Sequence, residues 1–298
     1  MVLITGATGN FGQAVIDFLL KRSVRRSRIV AMTRGRNRGR DLIAKGITIR
    51  IADYNNYLSL VEAFDKADKL LLISANDHTH RGKQHENVVN AAREAGVKHL
   101  LYTSFKHRNG RRTSSIDFLT RSHFETEKLI KQSGISYTIF RNDLYMDMLP
   151  MFLGGRILDT GIYFPAGKGR AAFTLRADMA EAVANVLATE NHENKEYVIS
   201  NIENISFRDI AEMLSELSGK KITYHSADVE AYINTLVAAG VSKDYACYFA
   251  GIGKAISRNA FVSTNSDLEN LLGRKPTSVK EYLKQVYFFK NYTEMIRA

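Results

Sequence analysis

The sequence predicts an α/β protein in which helices cover both faces of a parallel sheet, and three observations lead to this fold class. Short runs rich in Leu, Ile and Val recur through the first half of the chain. Their near-continuous apolar character is typical of parallel strands that are buried on both faces. Segments with apolar residues three and four positions apart lie between the runs, as expected of helices. The alternation predicts a doubly wound βα array.

Six runs of strand length carry this pattern before residue 150. The predicted strands span residues 2–5, 29–33, 47–51, 69–74, 99–103 and 137–140, and the predicted helices between them span 12–20, 59–64, 84–95 and 122–132. Gly96 and Gly134 come just after the last two helices, where a helix C-terminus favours glycine, and the next strand follows each of them directly. We therefore assign residues 1–150 to a domain built on the sheet.

The regular pattern weakens after Pro150. Residues 151–170 contain five glycines and one proline, which predicts a loop-rich connection. Beyond it we predict a helix over 177–187, a strand near 196–200 that returns to the sheet, and helical stretches near 206–218, 228–239 and 278–288. Residues 151–298 would thus form a smaller, mostly helical region.

Composition excludes several classes of protein. The apolar fraction of 45% is sufficient for a sizeable core, and no run approaches the ~18 consecutive apolar residues of a membrane span. The chain enters a strand pattern at Val2 without a basic leader, so we expect a cytoplasmic protein. Cys247 is the only cysteine, which excludes an intramolecular disulfide and a cysteine-based metal site, and we expect it to fill the core.

The net charge of +11 is concentrated in part of the sequence. Residues 21–40 contain no acid and nine basic residues, namely Lys21, Arg22, Arg25, Arg26, Arg28, Arg34, Arg36, Arg38 and Arg40. The members up to Arg28 fit a helix C-terminus and its loop, where cations are favourable. Nucleic-acid binding would rest on charge alone, because no recognition motif accompanies it, so we do not expect it.

Gly6, Gly9 and Gly12 lie between the first predicted strand and the first predicted helix. Glycine lets the backbone turn tightly and approach a ligand closely, and the N–H groups at the start of the helix can bind a pyrophosphate. In this strand–glycine–helix context the spacing indicates a dinucleotide site.

Arg34 bears on the choice of dinucleotide. An NAD-binding protein places an acid at the end of the second strand to hold the ribose 2′-hydroxyl, whereas this chain has Thr-Arg-Gly-Arg at residues 33–36. An arginine pairs with a 2′-phosphate through charge-assisted hydrogen bonds, so the sequence favours NADPH. Arg36, Arg38 and Arg40 fit a solvated loop.

Seven stretches of the sequence also carry a family resemblance. They are GATGNFGQ, ADYN, LLLISA, QHENVVNAAREAGVKHLLYTS, HFETEKLI, SGISYTIFRNDLY and ENKEYVIS. In this order they resemble the NmrA-like branch of the atypical short-chain dehydrogenase/reductases, and within it the quinone reductases and triphenylmethane reductases. The resemblance covers nearly the whole chain and implies a Rossmann-type fold, with an NADP-binding domain over residues 1–150 and a substrate-binding region over residues 151–298.

The resemblance also implies which residues bind the cofactor. Those expected to hold the pyrophosphate are Gly6, Ala7, Thr8, Gly9, Asn10, Phe11 and Gly12. Arg34 would hold the 2′-phosphate, and Asp53 and Tyr54 would flank the adenine. The residues at the ribose and nicotinamide end would be Ser74, Ala75, Thr103, Ser104, Arg141 and Asn142. This end agrees with the general rule that an open parallel sheet binds its ligand at the carboxyl ends of its strands.

Typical short-chain reductases carry Tyr-x-x-x-Lys on a helix, and this chain does not. His123 stands in place of the tyrosine, Glu127 in place of the lysine, and Lys128 is turned about 100° away from both. Carbonyl reduction with a tyrosine acid is therefore not expected. Quinones and delocalised carbocations accept hydride without a dedicated acid. His123 is a candidate proton donor for a hydroquinone, and the alternative is a helix histidine that only forms hydrogen bonds.

Aromatic residues are expected around the acceptor. Phe105, Tyr145 and Tyr163 fall near the expected nicotinamide end and the loop that follows it, where they could stack on a planar molecule. His78, His80 and His85 have no carboxylate at ligand spacing, so we predict no metal site.

These observations predict an NADPH-dependent reductase that transfers hydride directly to a quinone-like or other electrophilic aromatic acceptor, without flavin. The alternative is an NADPH-binding redox sensor that reports the cofactor ratio to a protein partner and turns nothing over. The sequence leaves the oligomeric state open.

Overall fold

The structure, a computed structural model, describes residues 1–77, 79–106 and 117–289. The strands are β1 (Val2–Ile4), β2 (Ile29–Thr33), β3 (Thr48–Ile51), β4 (Lys69–Leu72), β5 (His99–Phe105), β6 (Ser136–Asn142), β7 (Leu144–Tyr145), β8 (Ile162–Tyr163), β9 (Arg170–Thr174), β10 (Lys195–Ile199), β11 (Asn204–Ser206) and β12 (Tyr224–His225).

The helices follow the same numbering along the chain. They are α1 (Asn10–Lys21), α2 (Arg40–Ala44), α3 (Tyr57–Phe64), α4 (Arg81–Glu94), α5 (Asp117–Gln132), α6 (Leu149–Leu153), α7 (Ile157–Thr160), α8 (Arg176–Ala188), α9 (Phe207–Ser218), α10 (Val229–Ala238), α11 (Lys243–Ser257), α12 (Leu268–Leu272) and α13 (Val279–Phe288).

Seven parallel strands form the main sheet in the order β10-β6-β5-β4-β1-β2-β3. The chain winds outward from β1 through β2 to β3, and then resumes on the other side of β1 with β4. An open sheet binds its ligand where the winding direction reverses, in the crevice beyond the carboxyl ends of the strands. This topology places the crevice above β1 and β4.

Successive residues of the central strands feed cores on opposite faces. Ile4 of β1 packs into a cluster with residues of α1 and α8, whereas its neighbour Leu3 packs into a cluster with residues of α3 and α4. Both side chains are fully buried, and so are Leu70 and Leu71 of β4. Burial on both faces accounts for the uninterrupted apolar runs, and it confirms the predicted doubly wound α/β fold.

A third core lies in the C-terminal half of the chain. Its members come from residues 144–286 and include the fully buried Phe164, Phe173 and Phe207. Two short sheets, β11-β9-β7 and β12-β8, border this core. Strand β10 is also in this half of the chain, but it pairs with β6 and forms an edge of the main sheet.

The structure differs from the sequence prediction over residues 151–170. The predicted loop contains α6, α7 and β8, and β9 begins at its end. A Cβ atom at Gly161 would lie 2.7 Å from the carbonyl oxygen of Thr223, so this glycine permits close packing against a segment distant in the sequence. Glycines in this stretch therefore serve two purposes, since they form turns and also let neighbouring segments of the chain pack closely.

Helix α11 was not predicted. It contains Gly251 and Gly253, and glycine weakens a helical pattern in the sequence. Gly253 is nevertheless required by the packing, because a Cβ atom there would lie 2.8 Å from Cγ of Pro165. Cys247 lies on the exposed face of this helix, so the expectation that it fills the core was wrong. Among the described residues, no helix combines the length and apolar character needed to cross a membrane.

Candidate active site

The glycine loop between β1 and α1 has two kinds of glycine. Gly6 adopts a φ of +58°, a conformation that favours glycine, and a Cβ atom at Gly12 would lie 2.5 Å from the Gly6 carbonyl oxygen. Both glycines are thus needed by the loop itself. At Gly9 the backbone is extended, and a Cβ atom would meet nothing closer than the Gly6 oxygen at 3.4 Å. The space at Gly9 is therefore open for a ligand.

The N-terminus of α1 faces this space. Gly9 is its N-cap and provides no side-chain cap, and the first turn contains no acidic residue. The uncapped N–H groups and the positive end of the helix dipole favour an anion here. Among the predicted pyrophosphate residues, Gly9 and Asn10 are exposed, whereas Ala7 and Phe11 are buried in the core beneath them.

Arg34 follows β2 and is exposed at the same edge of the sheet. The Thr33 hydroxyl donates a hydrogen bond to the Gly35 carbonyl at 3.1 Å and so fixes the turn that carries Arg34. Within the described part of the chain, the guanidinium of Arg34 has no hydrogen-bond or ion-pair partner. It is thus available to an anionic group bound near the glycine loop.

Tyr54 supports the loop from below. Its hydroxyl lies 2.9 Å from the Ile73 carbonyl and also contacts the Thr5 hydroxyl, at the ends of β4 and β1. Burial raises the pKa of Tyr54, which keeps the phenol neutral. The Asp53 carboxylate accepts a hydrogen bond from the Asn55 amide at 2.8 Å. Contact of Asp53 and Tyr54 with an adenine stays a prediction.

The turn after β4 is held by side chains of β5 and α4. The amide of Ser74 donates to the Thr103 hydroxyl at 2.9 Å, and the amide of Ala75 donates to Nε2 of His85 at 3.0 Å. The carbonyl of Ala75 accepts a hydrogen bond of 2.7 Å from Nε of Arg81. Arg81 and His85 lie one helical turn apart, so one face of α4 satisfies both backbone groups of Ala75.

His85 is a neutral hydrogen-bonding residue. Burial, with a smaller effect from the nearby charge of Arg81, lowers the pKa of His85 to about 3. Because Nε2 accepts from the Ala75 amide, the ring proton lies on Nδ1, which is 2.9 Å from the Thr126 hydroxyl on α5. The ring thus connects the turn to α5.

Glu127 forms a buried ion pair. Its carboxylate lies 2.8 Å from Nη2 of Arg141 and accepts a hydrogen bond of 2.5 Å from the Ser104 hydroxyl. Arg141 also contacts Glu196 at 2.6 Å. The guanidinium of Arg141 is thus engaged by two carboxylates, and its place beside a nicotinamide stays a prediction.

Asn142 is the neighbouring buried polar group. It is 1% exposed and lies beside the Tyr145 hydroxyl, and within the described part of the chain neither atom of its amide has a hydrogen-bond partner of normal geometry. A buried amide without a well-formed hydrogen bond is unusual in native proteins, so this position is suited to a polar group of a ligand.

A cleft of about 500 Å³ lies beside the turn after β4. Its inner wall includes Ser74, Arg81, Ser104 and His123, and its aromatic lining consists of Phe105, Tyr145, Tyr245 and Tyr248. This volume is typical of small-molecule sites. The structure thus brings two of the three predicted substrate residues, Phe105 and Tyr145, into one cleft.

Tyr163 lies elsewhere. Its ring stacks on His225 with 5.8 Å between the centroids and an angle of 3° between the planes, and it is not among the described residues that line the cleft. The cleft thus does not include Tyr163 in its described lining, and contact of Tyr163 with substrate stays a prediction. Tyr245 and Tyr248, which the sequence analysis missed, provide the outer aromatic wall from α11.

His123 is 6% exposed, and both ring nitrogens have protein partners. Nδ1 lies 2.7 Å from the Tyr102 hydroxyl, and Nε2 lies 3.3 Å from Nη1 of Arg81. Because a guanidinium only donates, Nε2 is the acceptor and the proton lies on Nδ1, directed at Tyr102. In this arrangement His123 offers no proton to the cleft, and its role as a proton donor stays a prediction.

Two of the three histidines considered as metal ligands, His80 and His85, lie in different surroundings. His80 pairs with Asp77 at 2.8 Å on the surface, His85 is buried as described, and His78 lies outside the described residues. Over residues 1–77, 79–106 and 117–289, no three His, Cys, Asp or Glu side chains are grouped so that they could hold a metal ion.

Comparison with known proteins identifies the family. The model of the NmrA-like family matches residues 1–283. The chain belongs to the NmrA-like family. It is 35% identical over 292 residues to quinone oxidoreductase 2 of Escherichia coli K12, an alignment that covers 98% of this chain and all of the relative.

Two solved structures of NmrA-like relatives support the same assignment. Triphenylmethane reductase of Citrobacter sp., in complex with NADP(H), is 38% identical, with a TM-score of 0.90 over 96% of this chain and 99% of its own. The E. coli quinone oxidoreductase in complex with NADPH is 34% identical, with a TM-score of 0.87 over 96% of this chain and all of its own.

Proposed function

We propose that this NmrA-like protein is an NADPH-dependent reductase that transfers hydride directly to a quinone-like or other electrophilic aromatic acceptor. The two relatives with solved complexes bind NADP(H) and NADPH, and they are named for the reduction of dyes and quinones. The single observation that carries the proposal is the aromatic cleft of about 500 Å³ beside the turn after β4, whose described lining residues include no lysine that could pair with a tyrosine.

The residues present fit NADPH. The open space at Gly9 and the uncapped N-terminus of α1 would hold the pyrophosphate, and Arg34 would pair with the 2′-phosphate. The amide of Asn142 would hydrogen bond with the nicotinamide carboxamide. Thr8, Ser74, Ala75 and Thr103 would complete the site along the crevice. The bound cofactor supplies a hydride at the nicotinamide ring.

The chain's own contribution is to orient the acceptor and exclude water. Phe105 and Tyr145 offer faces for a planar ring, and Tyr245 and Tyr248 cover it from α11. His123 and Glu127 are committed to Arg81, Tyr102, Ser104 and Arg141, so neither is placed as a general acid. The acceptor's own electrophilicity and its proximity to the hydride then determine the rate.

This division of work follows the two halves of the chain. We propose that residues 1–150, with β10 at the edge of their sheet, bind the cofactor. Residues 151–298 then provide the part of the substrate site that closes over it, above all α11.

The test is an assay of NADPH oxidation at 340 nm against a panel of quinones, cationic triphenylmethane dyes and simple aldehydes or ketones. We expect turnover with quinones or dyes, little with simple carbonyls, and a preference for NADPH over NADH. If the protein binds NADPH but oxidises it with none of these acceptors, the reductase function is rejected and the redox sensor is favoured. Both relatives with solved complexes are named as a reductase or an oxidoreductase, so sensing is not proposed.

A further inference from the structure

Arg81 is a buried cation at the inner wall of the acceptor cleft. It is 5% exposed and lines the cleft together with His123 and Tyr145. Its Nε donates to the Ala75 carbonyl at 2.7 Å, and its Nη1 contacts the Ser122 hydroxyl at 3.1 Å and Nε2 of His123 at 3.3 Å. Contacts from α5 and from the turn after β4 therefore fix the guanidinium in one place.

The guanidinium keeps its charge there. Burial lowers the pKa of Arg81, but an arginine starts from so high a value that it stays protonated in proteins. Four groups act on it electrostatically, the phenols of Tyr102, Tyr145 and Tyr248 and the carboxylate of Asp77. Burial raises the pKa of the three phenols, so they remain neutral, and Asp77 lies exposed to water, which screens its charge.

One other charge lines the cleft. Among the described lining residues, Asp244 is the only ionised group besides Arg81, and it lies exposed at the rim, at the start of α11. Water and salt screen an exposed carboxylate, whereas a buried charge acts through a medium of low dielectric constant. Glu127, buried behind Ser104, is paired with Arg141. Arg81 is therefore the charge that the described lining presents at the inner end of the cleft, where an acceptor would meet the hydride.

We propose that Arg81 determines the acceptor class, favouring neutral acceptors that develop negative charge on oxygen, such as quinones, over cationic aromatic dyes. This inference rests on the proposed reductase function. When the C–H bond of the dihydronicotinamide breaks, its two electrons and hydrogen pass to the acceptor and NADP⁺ remains. A quinone becomes a hydroquinone monoanion, which takes a proton from water, and a cationic dye becomes a neutral product.

The sign of the effect follows from these charges. Relative to the free acceptor in water, the quinone brings partial negative charge beside Arg81 in the transition state, while the dye still carries partial positive charge there. A fixed cation stabilises the first and destabilises the second. Removal of the charge should therefore change kcat/KM for the two acceptors in opposite directions, which a general loosening of the site would not do.

The test compares Arg81→Met with Arg81→Lys and with Arg93→Met. We expect Arg81→Met to lower kcat/KM for a naphthoquinone by roughly 10- to 100-fold, because a charge that stabilises the transition state is lost. The same variant should raise kcat/KM for a cationic dye. Arg81→Lys keeps the charge and should keep the wild-type preference. Arg93 lies exposed on the same helix, so Arg93→Met removes the same charge without either effect.

A binding measurement separates this inference from the proposed function. Isothermal titration of the NADP⁺-loaded protein with naphthalene-2-sulfonate and with N-methylquinolinium, two bicyclic probes of opposite charge, requires no turnover. We expect the wild-type protein to bind the anion at least about 10-fold more tightly than the cation, and Arg81→Met to remove that preference.

The outcomes are distinct. If no acceptor is reduced but the anion preference is present and depends on Arg81, the reductase function fails and the charge selection stands. If dye and quinone kinetics fall together in Arg81→Met, or the wild-type protein binds the two probes equally, the inference is overturned. If Arg81→Met does not fold, Arg81→Gln, which removes the charge but keeps an amide donor, takes its place in the titration, because the cationic nicotinamide of NADP⁺ also favours the anion and only the variant isolates Arg81.

Discussion

At the glycine loop the space for a ligand is made by the main chain, whereas in the acceptor cleft it is bounded by side chains from β5, α4, α5 and α11. The loop follows from three glycines within seven residues and the start of one helix. The cleft depends on Arg81, His85 and His123, which are held by one another and by residues far away in the sequence. The first is thus a local property and the second a tertiary one.

This difference predicts how each region fails. A backbone site is lost when a side chain enters it, with little effect on the rest of the fold. A site made of connected side chains changes gradually, since each residue is positioned by others. The following experiments test this contrast, beginning with the largest expected effect.

The glycine loop should separate ligand binding from folding. Gly9→Val fills the open space without a contact inside the protein, so NADPH affinity should fall by about 100-fold or more while the melting temperature stays unchanged. Gly12→Ala places a Cβ atom 2.5 Å from the Gly6 carbonyl oxygen, so it should lower stability by about 1–3 kcal/mol. Calorimetric titration and thermal unfolding of both variants check this. Similar behaviour of the two would contradict it.

Arg34 tests the cofactor end by charge. Arg34→Ala should weaken NADPH by about 10- to 100-fold, as expected for loss of charge-assisted hydrogen bonds worth roughly 1.5–3 kcal/mol, and should leave NADH nearly unchanged. Arg36→Ala, which removes an exposed charge two residues away, is the matched control and should change neither. Equal weakening of NADPH and NADH by Arg34→Ala would show that the guanidinium does not contact a 2′-phosphate.

The same contrast explains what the sequence could predict. The sequence predicted features that are local, namely the strand and helix patterns, the glycine loop and Arg34. The parallel order of the sheet agrees with the strand pattern, and Gly9 and Arg34 are exposed as a binding role requires. Arg81 and His85 were missed because a polar residue on the buried side of an amphipathic helix does not reveal its partner. A signal was present, since Arg81, Gln84 and His85 share the buried side of α4 with Val88.

Two further site residues illustrate the same limit. Tyr163 is close in sequence to the expected site, but β8 pairs with β12 and directs its ring toward His225. Arg141 stands at the carboxyl end of β6, as expected, and yet its guanidinium is bound by Glu127 and Glu196 from two other elements. Which side chains meet across a fold depends on packing that a single sequence does not display.

His85 makes the cleft side sensitive to acid. Its pKa is about 3 in the folded protein, compared with 6.5 for an unperturbed histidine, as in the unfolded chain. Between pH 3 and pH 6.5 the unfolded chain therefore binds a proton at His85 that the folded protein does not. The stability that the neutral ring contributes is complete above pH 6.5 and is lost as the pH falls toward 3. From pH 7.5 to 5.0 we expect a loss of about 2 kcal/mol from His85.

Urea unfolding of the wild type and His85→Gln at pH 7.5 and 5.0 measures this loss. His99 and His192 also have lowered pKa values because of burial, so both proteins lose stability in acid, and the difference between their losses isolates His85. The variant should lose less than the wild type. An identical pH dependence would show that the ring is not held neutral in the folded state.

His123 should give the smallest effect, and the effect should depend on the acceptor. Because its ring proton is directed at Tyr102, His123→Ala should lower turnover of a cationic dye by less than about 3-fold, since that reaction consumes hydride and needs no proton. With a quinone we expect about a 10-fold loss, below the 10²–10⁴ of a full general acid, because water can protonate the product.

Tyr102→Phe is the matched control for His123, since it removes the hydroxyl that Nδ1 contacts but keeps the imidazole. If His123 acts by holding Arg81 in place, Tyr102→Phe should lower turnover of the quinone by less than His123→Ala does. The pH profile of kcat should keep its wild-type shape in both variants. A loss above 10³-fold with dye and quinone alike, together with a missing ionisation in the pH profile, would make His123 an obligatory acid. In that case the acceptor cleft would depend on a single residue, as the cofactor end depends on Gly9.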